Sequence, residues 1–182
     1  MAIHHLGTEQ ALASNPLKWT ILRNCWYMEN LFMSRPQALA NGKLYAAAGD
    51  GKIAYICLDD LGRAAAAALV RDHGNQRIFT LTGSEAFSIE HVARLVSAAV
   101  NKPLDVVQVS VKDMIRGMVR VGGMPKAVVG EIVSFDTNTK AGRLAAVTDD
   151  FGKLTGIAPQ KLSEWLVANK AALVGSWQPC CR

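Results

Sequence analysis

The densest chemistry in the sequence stands in the stretch WTILRNCWYMENLF, residues 19–32, where an apolar run gives way to Arg23, Asn24, Cys25, Trp26, Tyr27, Glu29 and Asn30. The two amides can each donate and accept hydrogen bonds. The indole and the phenol carry flat apolar faces with a polar tip, and the thiol reacts only to the extent that it ionises. Residue types alone do not say what this group recognises, and the other chemistry-bearing patterns narrow the choice by their spacing.

Most of those patterns fail on spacing. GDGKIA at 49–54 matches the dinucleotide fingerprint G-x-G-x-x-A, but the following IAYICL is strand-like, whereas phosphate binding needs the glycines to open a helix. A hairpin turn is the expectation there. The phosphate loop GxxxxGK[ST] is absent, since Gly152-Lys153 is followed by Leu154. No tyrosine is followed four residues later by a lysine: Tyr27 meets Leu31, Tyr45 meets Gly49 and Tyr55 meets Asp59. His4-His5, His73 and His91 have no metal-ligand spacing, and no metal is expected. No G-x-S-x-G nucleophile elbow occurs.

Cys25, Cys57, Cys180 and Cys181 fit neither a zinc site nor a disulfide framework, so reduced thiols and a frayed Cys180-Cys181 tail are expected.

These residues need a scaffold, and composition bounds it. With 182 residues, 50% hydrophobic and 19% charged, the chain suits one globular domain, or one and a small appendage. The longest aliphatic stretch, AAAAALV at 64–70, is fenced by arginines and is too short for a membrane span. The start, MAIHHLGTEQ, lacks a signal-peptide pattern, which predicts a cytoplasmic chain. The net charge of +5 comes from 20 scattered Lys and Arg, a solvated surface rather than a nucleic-acid footprint.

Periodicity predicts alternating helices and strands. GTEQALASN reads as a helix stopped before Pro16. LKWTILRN reads as a strand, apolar on both faces of 19–22 and therefore covered from both sides, as in a parallel sheet. MENLFMSRPQALANG reads as helix or lid. Asp50-Gly51 predicts a hairpin between two extended runs. Asp59 or Asp60 is the expected cap of a helix over 61–71. RIFTLTG is a strand, and Ser88 the expected N-cap of IEHVARLVSAAV. LDVVQVSV is a strand, with helices in KDMIRGMVRVGG and PKAVVGEIV. The polar stretch SFDTNTKAGR separates these from a short helix in DDFGKLTG and a longer one in QKLSEWLVANKAALV. The fold class is α/β, with a short, mainly parallel sheet and a mostly helical C-terminal lobe.

HHLGTEQALASNPLKWTILRNCWYMENLF resembles the middle of an NmrA-like atypical short-chain dehydrogenase, of the NAD(P)H:quinone oxidoreductase and triphenylmethane reductase branch. The resemblance continues through AAGDGKIAYICLDDLGRAAAAAL, IFTLTGSEAFSIEHVARLVSAAVNKPL and TDDFGKLTGIAPQKLSEWL. It implies a partial Rossmann-like domain at 1–103 and a small substrate-side lobe at 104–182. The family's Gly-rich loop has no counterpart here, so the resemblance also implies a chain that starts part-way through that domain.

By the same resemblance NAD or NADP is the cofactor. Asn24, Cys25, Trp26 and Asn30 are its candidate contacts, at the carboxyl end of a parallel strand where ligands collect. Trp26 and Tyr27 are the candidate wall for a quinone or dye-like acceptor. His5 falls where isoflavone-reductase-like relatives place a catalytic lysine and is the candidate proton donor. Cys25 replaces the glycine common in close relatives and would narrow the approach of a ring. Three functions stay open at this point: the substrate-side part of a reductase, a non-catalytic redox-responsive regulator such as NmrA, and a fragment inactive on its own. Uncovered strand edges predict a homodimer.

Overall fold

The computed structural model describes residues 3–70 and 76–175, with side chains from residue 5 onward. The Cys180-Cys181 tail, His4 and His73 lie outside the described side chains.

The strand read from LKWTILRN forms as β1 (Thr20–Asn24), and RIFTLTG as β4 (Arg77–Leu81). They pair in parallel, Thr20 opposite Arg77 through Asn24 opposite Leu81, as expected of runs apolar on both faces. Two further ladders form among the described residues. β2 (Lys43–Ala46) pairs in parallel with β6 (Asp105–Gln108), and β3 (Lys52–Ile53) pairs antiparallel with β5 (Phe87–Ser88). A parallel bridge between Tyr27 and Ile56 carries strand-like pairing beyond β1. The fold is α/β.

The hairpin expected at Asp50-Gly51 is not formed, although the turn is. The Gly51 amide donates to the Ala48 carbonyl at 3.1 Å and Gly49 adopts φ +53°, yet β2 and β3 leave in different directions to different partners. The cause is long-range packing. A Cβ at Gly51 would lie 2.1 Å from the Thr139 carbonyl oxygen, so this turn is pressed against a distant helix instead of folding β2 onto β3.

Helix boundaries moved for similar reasons. α1 spans Ile3–Ala13, earlier than the pattern suggested. α2 spans Leu31–Asn41, ending at Gly42 in the left-handed conformation that a side chain would resist. α3 (Leu58–Val70) starts three residues before Leu61, which leaves Asp59 and Asp60 inside its first turn and not at the cap. The Leu58 amide is held instead by the Glu29 carboxylate at 3.1 and 3.2 Å.

Ser88 caps α4 (Ile89–Val100) as expected, its hydroxyl accepting from the His91 amide at 3.3 Å. β6 stops at Gln108 because Ser110 caps α5 (Val111–Arg120), accepting from the Asp113 amide at 3.1 Å.

The polar SFDTNTK stretch does not separate two regions; it completes α6 (Lys126–Lys140). Side chains of Ser134, Thr137, Asn138 and Thr139 bond carbonyls three or four residues back, so their polarity is absorbed within the helix. α7 (Asp150–Thr155) follows. The expected long last helix is broken at Asn169 into α8 (Leu162–Ala168) and α9 (Lys170–Val174).

The main core gathers Met28, Leu31, Leu39, Leu44, Val92, Val96, Leu104, Leu166 and Leu173, so residues on both sides of position 103 share it. A second cluster joins Ile56, Leu61, Leu81, Phe151 and Leu154 beside the β1–β4 pair. Each fully buried aliphatic or aromatic side chain contributes about 1.5–3 kcal/mol. No described helix is long and apolar enough to cross a membrane.

Candidate functional site

Where β1 ends, backbone hydrogen bonds continue its pairing, first to β4 and then to Ile56. The Cys25 amide donates to the Leu81 carbonyl at 2.9 Å, the Trp26 carbonyl accepts from the Ile56 amide at 3.0 Å, and the Met28 amide donates to the Ile56 carbonyl at 3.0 Å. Residues 24–27 are thus fixed as an extended segment at the carboxyl end of a parallel pair, and extended backbone sends successive side chains to opposite faces. Cys25 and Tyr27 pack on the second cluster, while Trp26 packs on the main core. Trp26 and Tyr27, read from the sequence as one wall, therefore stand on two sides of the segment. Trp26 meets Phe135 of α6 edge to face, centroids 4.0 Å apart at 69°.

Asn24 is exposed at the tip of β1, and Asn30 is half-buried at the end of a 3-10 turn, Met28–Asn30, that leads into α2. His5 is exposed on α1, one turn before Glu9. Glu9 grips Arg23 of β1 at 2.9 and 2.5 Å, and this bond holds its carboxyl below the usual range. The ion pair links the helix carrying His5 to the strand carrying Asn24.

Burial sets the reactivity of the groups behind this edge. The Cys25 thiol, directed at the Leu144 carbonyl at 3.7 Å, is pushed up by desolvation. Cys57 is pushed up to about 11, first by burial, and reaches the Gln160 Oε1 at 3.4 Å. Both are protonated at neutral pH and are poor nucleophiles.

A buried polar group that the motif reading passed over lies beneath them. Arg35 and Tyr55 are 5% and 3% exposed. Burial raises Tyr55 to about 12 and lowers Arg35, whose Nε has no partner among the described residues. Asp136 is the nearby carboxylate, raised by burial, and its Oδ2 accepts the Ala47 amide at 2.6 Å. One signal for Arg35 was available: it stands four residues after Leu31 and three before Ala38, on the buried stripe of α2.

Two concavities lie nearby. A cavity of about 160 Å³ is lined by Tyr55, Glu85, Phe87, His91, Gln160 and Leu162 among others. A broader cleft of about 670 Å³ is lined by Gly49, Asp50, Gly51, Lys52, Lys140, Gly142 and Ala145. Asn24, Cys25, Trp26 and Tyr27 line neither of them. The cleft adjoins their segment through Leu144, whose carbonyl accepts both the Ala54 amide at 2.9 Å and the Cys25 thiol.

No family model matches the chain. It is 31% identical over 170 residues to the uncharacterized oxidoreductase YesF of Bacillus subtilis, covering 92% of this chain and 59% of that protein. It is 31% identical over 165 residues to quinone oxidoreductase 2 of Escherichia coli, covering 90% and 57%. Among solved structures, an NADPH-dependent quinone oxidoreductase from Escherichia coli superposes with a TM-score of 0.84 at 29% identity, over 91% of this chain and 60% of that one. The Citrobacter sp. triphenylmethane reductase superposes with a TM-score of 0.82 at 24% identity, over 93% and 57%, and shows the shared fold. These matches bear out the resemblance to the quinone oxidoreductase branch of the NmrA-like family. The chain spans 57% to 59% of the length of these curated relatives.

Proposed function

We propose that this chain forms the part of an NAD(P)H-dependent oxidoreductase where the nicotinamide meets its acceptor, and that the acceptor is a quinone or a dye-like aromatic. The carrying observation is the parallel β1–β4 pair, from whose carboxyl end residues 24–27 emerge in fixed, extended geometry. In parallel α/β sheets that end is where ligands bind.

The residues present fit one end of a dinucleotide. Asn24, exposed at the tip of β1, and Asn30, at the entry to α2, offer the amides that a carboxamide and a ribose would need. The pyrophosphate end is not matched: Gly49-Asp50-Gly51 leads into β3 and its last glycine packs on Thr139, so it presents no helix N-terminus to a phosphate. That contact is assigned to the part of the relatives' length that this chain does not span. The nicotinamide and its ribose are therefore the part of NAD(P)H that residues 24–30 would hold.

The cofactor supplies the hydride. The chain's own residues orient and shield. Cys25, half-buried and protonated, would narrow the approach of a ring beside Asn24. Trp26 and Tyr27 each offer a ring to a flat acceptor from their own side of the segment. His5 delivers the proton that a reduced quinone takes up, from an α1 held against β1 by the Glu9–Arg23 pair. Residues 1–103 would form the cofactor-side part and 104–182 the acceptor-side lobe, and two chains would associate through the open edge of β1.

A calorimetric titration of NADPH into the chain and into Asn24→Ala tests this reading. Weak binding that Asn24→Ala weakens by about tenfold is expected, the scale of one lost polar contact in a partly desolvated site. No heat from the unmutated chain at millimolar NADPH would refute it.

A further inference from the structure

We infer that the cleft between residues 49–52 and 140–145 is an oxyanion subsite that holds a sulfonate or carboxylate carried by the aromatic acceptor. This deepens the proposed reductase reading and rests on it.

The cleft is built from two segments locked together. Gln108 clasps Gly49 from both sides, its Oε1 accepting the Gly49 amide at 3.1 Å and its Nε2 donating to the Gly49 carbonyl at 3.4 Å. Asp136 holds the Ala47 amide just upstream. On the opposite wall the end of α6 supplies Lys140, and Gly142 adopts φ +73°. Gly51 admits no side chain, because Thr139 backbone occupies the place of its Cβ. That packing joins the two walls, whereas at Gly142 a side chain would meet nothing within 4 Å, so the wall is open there.

Charge gives the cleft its preference. Lys52 and Lys140 both line it, and among the described residues neither ammonium has a carboxylate within ion-pair distance. The exposed Lys140 side chain runs along the turn, its Cε, Cγ and Cδ 3.8 to 4.0 Å from where a Gly49 side chain would begin. Asp50 is the one carboxylate on the lining and partly offsets the two cations. Position links the cleft to the reaction. Ala145 lines it, and the preceding carbonyl, Leu144, is the acceptor for the Cys25 thiol and the Ala54 amide. In this arrangement a flat acceptor would lie against residues 24–27 with its charged substituent between the two lysines.

The same oxyanion chemistry could come from a phosphate of the cofactor, so the test separates the two sources. Affinities of anthraquinone-2-sulfonate and neutral 2-(hydroxymethyl)anthraquinone are measured by calorimetry at low ionic strength, with and without NADPH. The sulfonate should bind about threefold to tenfold more tightly, as two partly exposed ion pairs allow. The preference should shrink with added salt, disappear in the Lys52→Gln/Lys140→Gln double variant and grow in Asp50→Asn. NADPH should leave it intact. Equal affinity for the two quinones, or loss of the preference on adding NADPH, overturns the subsite and leaves the reductase reading standing. Failure of both quinones to bind overturns the two together.

Discussion

At the scale of single residues, burial decides what the thiols can do. Cys25 and Cys57 both keep their protons above the ordinary thiol range, Cys57 up to about 11, because desolvation disfavours the thiolate. Iodoacetamide at neutral pH should therefore leave both unmodified in the folded chain, and labelling of Cys57 should rise only as the pH approaches 11. Peptide-resolved mass spectrometry reads this separately from Cys180 and Cys181. Rapid modification of Cys25 at neutral pH would contradict the desolvated environment. The sign of the linkage follows: a group that holds its proton more tightly when folded lends stability below its unfolded value, and that stability falls as pH rises through the window from about 9 to about 11. The types and order of Asn24 to Asn30 were legible in the sequence, but the separation of Trp26 from Tyr27 followed only once the segment was seen to be extended. Arg35 and Asp136 were not legible as a pair, because a hundred residues of chain lie between them and their proximity depends on α6 meeting the turn after β2.

At the scale of elements, strong local patterns were readable and long-range caps were not. Strands β1 and β4 and the Ser88 cap rest on patterns local in sequence, and each forms where its pattern placed it. α3 begins early because Glu29, far upstream, supplies the acceptor for Leu58. Asp60 is then released for another task. Its carboxylate, 1% exposed, accepts the Gln160 amide at 2.7 Å and pairs with Arg63 at 2.8 Å, joining α3 to the segment before α8. Asp60→Ala leaves that amide unpaired in a buried place and should cost about 2–3 kcal/mol in urea unfolding. Asp60→Asn, which keeps an acceptor, should cost less. Equal stability of Asp60→Ala and the unmutated chain would show that the carboxylate does not join the two elements.

At the scale of the whole molecule, large apolar side chains are exposed on β4 and on the segments that lead into β1 and towards β4. β1 pairs with β4 alone among the described residues, and Leu17, Leu69, Val70 and Ile78 are 69%, 87%, 82% and 42% exposed. Open strand edges and apolar patches favour association, so light scattering should report a dimer. A stable monomer at tens of micromolar that binds no hydrophobic dye would contradict this. The α/β class and the family resemblance were legible because they rest on order and spacing along nearly the whole chain. The cleft at 49–52 and 140–145 was not, since its two walls meet only after folding. The central claim is that residues 24–28 are the reacting edge, and a backbone-amide NMR titration with NADPH tests it most directly. The account predicts the largest shifts at Asn24, Cys25, Trp26 and Tyr27 and at their partners Ile56 and Leu81. Shifts confined to the cavity around Phe87 and His91, or none at millimolar NADPH, would contradict it.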